Sequence, residues 1–345
     1  MDIGKVPENV LKRSVFKQIQ YKRDEVILGP GVGEDCAAVE LKKDEVFVLS
    51  TDPITGAANE IGRLAVHITA NDLATAGADP IGLMLTVLLP PGTEEAELRS
   101  LMKEIMGECQ KLKMTIMGGH TEVTAAVNQI LVSVTGVGKV KKGRLISTGG
   151  IRPGQEIVMT KYAGLEGTGI IASEKETELL TRYPASFIEE AKGMLDLVSV
   201  VEDAKIAREF NVTAMHDVTE GGIFGALWEV AVASKVGLEI ELHKIPMKQQ
   251  TVEICEFFNL NPYLLISSGS MLIAADRGSD IVDALKKHGI EAAVIGRATA
   301  GNDKVVYYGD EKRFLEPPKC DELYKIYQDE KDKRGIKPCV KKFLD

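Results

Sequence analysis

The chain has 345 residues, 44% of them hydrophobic, and its 42 Lys and Arg against 51 Asp and Glu give a formal net charge of −9. A chain of this length is expected to form about two domains, each large enough to bury a core. The acidic balance provides no long-range attraction for nucleic acid or anionic lipid. No stretch approaches the ~20 apolar residues of a membrane helix. We therefore expect neither a nucleic-acid-binding protein nor a membrane protein.

The N-terminus and the cysteines point to a reducing compartment. No basic segment followed by an apolar run begins the chain, so we expect a cytoplasmic location. The five cysteines are odd in number and widely spaced, with no CxxC pair. This pattern argues against a disulfide framework and against a zinc ribbon, and it predicts free thiols.

The first half of the chain predicts several strands and two helices. The strand patterns, rich in aliphatic and β-branched residues, lie at 37–41, 46–51, 82–89, 115–117 and 130–137. Helical patterns cover 62–76 and 93–111, the second with Thr93 as its predicted N-cap. The first helix is unusually rich in Ala, Thr and Asn, which favours close backbone packing around a polar cavity.

The second half of the chain also predicts both strands and helices. Its predicted strands lie at 156–161, 213–215, 238–242, 270–275 and 292–296, and its predicted helices at 189–209, 223–234, 251–258 and 280–288. Strands and helices do not alternate regularly, so the pattern favours an α+β (mixed α/β) fold over a Rossmann sheet. A Gly/Pro-rich connector near 141–156 predicts domains at 1–147 and 148–310, followed by a charged tail at 311–345.

A glycine cluster near the N-terminus precedes two acids. Gly31 and Gly33 are followed by Glu34 and Asp35, without the context of a Walker or dinucleotide-binding motif. Two interpretations stay open. The loop amides can approach phosphate while a carboxylate binds Mg²⁺, or the cluster is a tight turn with solvated acids.

Three further acids of the first half follow or interrupt predicted elements. Asp52 ends a strand, Asp72 lies beside Asn71 in the small-residue helix, and Glu122 follows Gly118-Gly119-His120. With Asp35 they make four acids at separate strand ends or helix faces, an arrangement typical of discontinuous carboxylate sites for Mg²⁺-nucleotides. The alternative for Asn71 and Asp72 is simple exposure.

In the second half, a polar and glycine-rich segment follows an apolar strand and opens a helix. Thr219 is the predicted cap, and the amides near Gly221 and Gly222 suit an anion or a carbonyl oxygen. His216 and Asp217 suit proton transfer or substrate orientation, with a structural turn as the alternative. The same choice applies to His120. The remaining histidines are interpreted as packing or surface residues.

Six ordered motifs resemble the AIR synthase (PurM-like) superfamily over roughly residues 25 to 300. They are Gly33-Glu34-Asp35-Cys36-Ala37-Ala38, Ser50-Thr51-Asp52, Asn71-Asp72-Leu73-Ala74-Thr75-Ala76-Gly77-Ala78, Gly118-Gly119-His120-Thr121-Glu122, Asp217-Val218-Thr219-Glu220-Gly221-Gly222 and Ser268-Gly269. The superfamily includes thiamine-monophosphate kinase, selenophosphate synthetase, formylglycinamidine synthase and the hydrogenase maturation protein HypE. The stretch 60–66 most resembles the HypE branch.

The resemblance implies an N-terminal domain that dimerises through its sheets and holds ATP with Mg²⁺, and a C-terminal α/β domain that completes the site. It implies phosphorylation of an amide-like oxygen or another acceptor, and in the HypE branch the dehydration of a thiocarbamoyl-type group towards cyanide. The expected metal ligands are Asp35, Asp52, Asp72 and Glu122, and the expected catalytic residues are His120, His216 and Asp217. The expected cofactor-binding residues are Gly31, Gly33, Asp35, Asp52, Asn71, Asp72, Gly118, Gly119, Glu122, Thr219, Gly221 and Gly222.

Two departures from the family pattern stand out. Glu34 replaces the usual first Asp of the acid pair, and Cys339 is followed by six more residues, whereas the HypE branch ends in a Pro-Arg-Ile-Cys-like tail. The expected partners are a second copy of the chain, a small-molecule or protein-borne acceptor and a maturation protein. The alternatives are a small-metabolite kinase of the thiamine-monophosphate kinase type and a non-catalytic, nucleotide-binding dimeric scaffold.

Overall fold

A computed structural model describes residues 4–5, 8–29, 38–54, 60–317 and 320–327. The strands are β1 Gly4–Lys5, β2 Val26–Leu28, β3 Ala38–Val39, β4 Glu45–Ile54, β5 Asp79–Leu89, β6 Thr115–Val123, β7 Leu131–Lys141, β8 Glu156–Thr160, β9 Val212–Asp217, β10 Gly237–Glu241, β11 Met271–Ala275, β12 Ala292–Thr299, β13 Lys304–Tyr308 and β14 Glu311–Phe314.

The α-helices are α1 Glu8–Val10, α2 Ile61–Thr75, α3 Glu95–Lys111, α4 Leu165–Glu174, α5 Glu176–Leu179, α6 Ala185–Lys192, α7 Val201–Ala207, α8 Gly222–Ser234, α9 Gln249–Phe257 and α10 Gly278–Lys287. A π-helical turn at Leu11–Val15 follows α1, and 3₁₀ turns lie at Phe16–Gln18, Lys142–Arg144, Thr148–Gly150, Gly193–Leu197, Leu242–Lys244 and Pro262–Leu264. A last helical turn covers 323–327. Among these described helices, none is both long and apolar enough to cross a membrane.

The chain divides into two compact units. Unit 1 consists of Met1–Ser147 and Val198–Phe210, and unit 2 of Thr148–Leu197 and Asn211–Asp345. The single helix predicted over 189–209 is therefore wrong. That stretch forms α6, a 3₁₀ turn and α7, because its first part packs in unit 2 and its last part in unit 1.

Unit 1 is built on a five-stranded sheet of order β1-β6-β5-β7-β4. Only the β5–β6 pair is parallel. Helices α2 and α3 pack against each other and against the strands on one face. Small residues of α2 and the sheet allow close approach, since a Cβ at Gly136 of β7 would lie 2.5 Å from the Thr69 side chain. This confirms the expectation of close packing around α2.

The predicted cap of α3 is displaced by one residue. Glu94 is the N-cap, and it forms a reciprocal capping box with Glu97. The Thr93 hydroxyl instead donates to the carbonyl oxygen of Pro90 at 2.7 Å. A carboxylate at the cap binds the exposed amides of the first turn and also complements the helix dipole, so Glu94 replaces the hydroxyl in this role.

Unit 2 contains a seven-stranded sheet of order β14-β13-β10-β12-β8-β11-β9, in which only β10 and β13 are parallel neighbours. Helix α8 covers the face that carries Ile157 and Met159 of β8. Helix α10 packs on the opposite face, where a Cβ at Gly278 would lie 2.7 Å from Val158. The mixed sheets and the helices confirm the α+β expectation, although β13, β14 and α4 were not predicted.

Candidate functional site

The first candidate site lies on the helix-covered face of the unit 1 sheet. In β4, residues 50, 52 and 54 point towards α2, while residues 47, 49, 51 and 53 point away, as the alternating burial shows. The Ser50 hydroxyl contacts the carboxylates of both Asp52, at 3.3 Å, and Asp72 of α2. The structure thus brings together two of the predicted metal ligands, and it adds Ser50, which belonged to a predicted motif but was not a predicted site residue.

The chemistry of this group suits a hard cation. Asp52 and Asp72 are both partly exposed, so their carboxylates are accessible. Mg²⁺ in nucleotide sites is usually held by one or two carboxylates together with phosphate oxygens and water. Within the described residues, no group of three or more His, Cys, Asp or Glu side chains could hold a metal ion. Two carboxylates on either side of one hydroxyl fit a metal that arrives with its nucleotide.

Asn71, the neighbour of Asp72, has a structural position. It is fully buried, its amide nitrogen donates to the carbonyl oxygen of Val198 at 2.8 Å, and its amide oxygen accepts the N–H of Val200 at 2.8 Å. Both ends of the amide are used by the backbone of the segment Val198–Phe210. In this structure Asn71 attaches that segment to α2, and its predicted contact with a cofactor stays a prediction.

The other end of the same segment is held by Arg208. Its guanidinium lies 2.8 Å from the carboxylate of Asp79 and donates to the carbonyl oxygen of Gly77 at 3.2 Å. Between these two attachments, α7 packs against α2. The segment from the second half of the sequence thus supports the helix that carries Asp72.

His120 and Glu122 lie on the other face of this sheet, here called the outer face. Backbone pairing aligns His120 with Thr86, Ser133 and Pro53 across four strands, and all four share the face opposite α2. The His120 Nε2 atom lies 3.1 Å from the Glu122 carboxylate. The structure therefore does not bring Glu122 to Asp52 and Asp72, because residues 120 and 122 alternate with the buried Thr121 and Val123.

The two glycines before His120 have different surroundings. Gly119 has a φ of +151°, and a Cβ there would lie 2.0 Å from the carbonyl oxygen of Leu85. Only glycine fits this close approach of two strands. Gly118 has room for a side chain, with its nearest contact at Met84, 3.6 Å away. At Gly119 the strand packing alone accounts for the glycine.

Some predicted residues lie outside the described part of the chain. They are Gly31, Gly33, Glu34, Asp35 and Cys339. Asp35 is the fourth predicted metal ligand, and its role stays a prediction.

In unit 2, His216 and Asp217 lie at the end of β9, and they differ in exposure and in contacts. The His216 Nε2 atom lies 2.9 Å from the carboxylate of Glu229 in α8 and remains partly exposed. Asp217 is buried, 5% exposed. The pairing of His216 with Glu229 suits an imidazole whose orientation is fixed by a carboxylate.

The loop after β9 opens α8, but not with the predicted cap. Gly221 is the N-cap residue, with a φ of +81°, so Thr219 does not cap the helix. Gly222 also has a positive φ, and a Cβ there would lie 2.6 Å from the carbonyl oxygen of Tyr263. The Gly221 N–H donates to the Asp321 carboxylate at 2.7 Å. The predicted anion contact at Gly221 is thus made by a carboxylate of the chain itself.

A buried carboxyl group beside this loop was missed by sequence reasoning. Glu166 of α4 is 2% exposed, and its Oε2 atom accepts the N–H of Ser268 at 3.2 Å. Burial raises the pKa of Glu166 to about 7, and the nearby charges of Asp321 and Glu220 act in the same direction. The only hint in the sequence is the glycine-rich surroundings of Glu166, in Gly164-Leu165-Glu166-Gly167-Thr168-Gly169.

Two family models match the chain. The model described as AIR synthase related protein, N-terminal domain, matches residues 33–140, and the one described as AIR synthase related protein, C-terminal domain, matches residues 152–309. Together they cover most of the chain. Ser50, Asp52 and Asp72 lie within the first match, and Glu166, His216 and Gly221 within the second.

Curated relatives match along most of their length. A protein of Methanocaldococcus jannaschii whose name describes it as a hydrogenase expression/formation protein is 28% identical over 311 residues, which cover 88% of this chain and 90% of the relative. A carbamoyl dehydratase HypE of Rhodobacter capsulatus is 29% identical over 255 residues, 72% of each chain.

Solved structures share the fold. Escherichia coli HypE aligns with a TM-score of 0.78 at 21% identity, covering 92% of this chain and 99% of that one. A HypE structure in complex with ATP aligns with a TM-score of 0.73 at 20% identity, covering 94% and 97%. A HypE–HypF complex aligns at 0.69 and 21% identity, covering 79% and 90%. At these identities the structures establish likeness of fold.

Proposed function

The chain belongs to the AIR synthase related protein family, and we propose that it is an ATP-dependent enzyme that activates an amide-type oxygen by phosphorylation, as in the HypE branch. The group Ser50, Asp52 and Asp72 carries this proposal. It lies inside the matched N-terminal family domain and supplies oxygen ligands of the kind that a Mg²⁺-nucleotide requires.

The proposed substrate is a carbamoyl group, by analogy with the relatives named carbamoyl dehydratase. The amide oxygen attacks the γ-phosphorus of ATP and ADP leaves. The C–O bond then breaks, phosphate departs with the former amide oxygen, and the nitrogen gives up two protons as the nitrile forms. Phosphorylation is needed because oxide and hydroxide are poor leaving groups, whereas phosphate is a good one.

The chain's own residues have two roles in this scheme. Asp52 and Asp72 would hold the cation of the nucleotide, and the Ser50 hydroxyl, which donates its single proton to Asp72, keeps that carboxylate in place beside Asp52. Mg²⁺, when bound, neutralises the charge that moves to the leaving phosphate. His216, whose imidazole is oriented by Glu229 at 2.9 Å, stays a predicted proton-transfer residue of unit 2.

We also propose that two copies of the chain associate through the outer face of the unit 1 sheet. Phe47 is 49% exposed, Leu49 66% and Met84 36%, and all three lie on described strands of that sheet. Exposed apolar side chains grouped on a sheet face favour association with a second surface. A hydrogenase maturation protein is the proposed further partner, in line with the HypE–HypF complex among the structural neighbours.

The experiment is a product analysis. The protein is incubated with Mg-ATP and a peptide carrying S-carbamoylcysteine, and with Mg-ATP and thiamine monophosphate in a parallel reaction. We expect phosphate release together with a peptide product lighter by one water. A phosphorylated thiamine product would favour the kinase alternative, which has fold-level support from thiamine-monophosphate kinase neighbours. ATP that remains intact with every acceptor would favour the non-catalytic scaffold.

A further inference from the structure

The segment 320–327 occupies the glycine loop that opens α8. The Asp321 carboxylate is 2% exposed and accepts three backbone N–H groups, from Gly221 at 2.7 Å, from Leu323 at 2.9 Å and from Ile266 at 3.2 Å. Backbone amides at a helix N-terminus are a favourable place for a negative charge. Asp321 thus joins two loops of unit 2 that are 45 residues apart in the sequence, at Gly221 and Ile266.

Neighbouring residues of the segment add further contacts. The Glu322 carboxylate accepts the N–H of Asn261 at 3.0 Å, and the Tyr324 hydroxyl donates to Glu220 at 2.7 Å. Leu323 and Ile326 are buried, 6% and 9% exposed. The Tyr327 hydroxyl donates to Glu174 at the end of α4. All of these contacts are to a loop or a helix end, and the described part of this segment pairs with no strand.

The electrostatics of the contact include repulsion as well as attraction. Asp321 lies near the carboxyl groups of Glu220 and Glu166, and these acids disfavour one another's charge. The amide hydrogen bonds and the two buried apolar side chains oppose this repulsion. The bound state is therefore a balance of opposing contributions, unlike the uniformly apolar contacts between α8 and its sheet.

We propose that residues 320–327 form an intramolecular docking motif whose binding site is the surface around Gly221, Asn261 and Ile266 of unit 2. The chain after Tyr327 then starts from a fixed point on unit 2. Cys339 lies twelve residues further on, so its reach from this point is at most ~40 Å of extended chain. The proposal does not depend on the enzymatic activity proposed above.

Hydrogen exchange in the full-length protein tests the docking. We expect Asp321→Asn to accelerate exchange of the Gly221 and Ile266 amides about tenfold or more, because the neutral amide oxygen of Asn accepts their hydrogen bonds more weakly than the carboxylate does. Tyr324→Phe is the milder variant if Asp321→Asn fails to fold, and it should accelerate the same amides to a smaller extent. Asp310→Asn, an exposed acid in the turn between β13 and β14, should leave both amides unchanged.

A peptide in trans identifies the occupant. A fluorescent peptide of residues 321–327 should bind full-length Asp321→Ala, whose own motif is weakened, and bind wild type about tenfold more weakly or not at all, since that site is already filled. Unchanged exchange in Asp321→Asn and Tyr324→Phe, or equal peptide binding by both chains, would contradict the proposal. So would amide protection in wild type that falls on dilution, because the occupant would then be the segment of a second copy.

Discussion

The Ser50 hydroxyl of β4 hydrogen-bonds to the Asp72 carboxylate of α2, linking residues that are 22 positions apart in the sequence. Asp52 lies on the same side of the strand, 3.3 Å from the Ser50 oxygen. The strand and the helix therefore present two carboxylates to one point. The geometry follows from the period of two along β4 and from the close packing of the small residues in α2.

The buried amide of Asn71 predicts a stability effect. Asn71→Ala leaves the Val198 carbonyl oxygen and the Val200 N–H without their side-chain partner, and each buried group left unpaired costs ~1–3 kcal/mol. We expect the free energy of unfolding to fall by roughly 2–4 kcal/mol, measured by chemical denaturation. Asn128→Ala, at an exposed loop position, is the control and should change it little. An equally small effect for Asn71→Ala would show that the amide does not hold the segment.

The buried Glu166 predicts a pH dependence. Its pKa is raised from 4.5 to about 7, so the folded state holds the proton more tightly than the unfolded chain. The stability that the neutral carboxyl provides is complete below about pH 4.5 and is lost as the pH rises to about 7. The slope reaches at most ~1.4 kcal/mol per pH unit.

Glu166→Gln isolates this contribution. The neutral amide keeps the size of the side chain and an oxygen that accepts the Ser268 N–H. Denaturation curves measured across that pH range should show a smaller loss of stability in the variant than in wild type. Identical slopes would mean that the pKa of Glu166 is not raised in the folded protein, which would contradict the prediction.

The outer face of the unit 1 sheet predicts an oligomeric state. Leu49→Arg places a charge on the most exposed large apolar side chain recorded in the described residues. A charge buried in an apolar interface is costly, so we expect the variant to sediment as a monomer and wild type as a dimer. Leu180→Arg, at a 49% exposed position of unit 2, should leave the dimer intact. A dimer that persists in Leu49→Arg would place the interface elsewhere.

Much of the sheet and helix content was predictable because hydrophobic periodicity reports which face of an element is buried. The helix predicted over 189–209 shows the limit of this signal. Both of its parts are amphipathic, yet each packs in a different unit, and periodicity does not reveal which core receives a segment. Long-range partners of this kind depend on the assembled fold.

In the candidate site, too, some features were predictable from the sequence and others depend on the assembled fold. Asp52 and Asp72 were predictable as acids at informative positions, and their proximity is a result of the fold. Asn71 was expected at the ligand, but a side-chain amide satisfies a backbone segment as well as it satisfies a ligand. Gly221 was expected to bind an anion, and in the structure its N–H donates to the carboxylate of Asp321, 100 residues away in the sequence. A polar residue type predicts that a group needs hydrogen-bond partners, but it does not predict which groups those partners are.

Asp52 and Asp72 are proposed to bind ATP through Mg²⁺, and isothermal titration calorimetry with Mg-ATP tests this binding most directly. We expect saturable binding by wild type, an affinity lower by about tenfold or more in Asp72→Asn because a carboxylate ligand is lost, and unchanged affinity in Asp310→Asn. The absence of binding by wild type, or equal affinities in wild type and Asp72→Asn, would contradict the account.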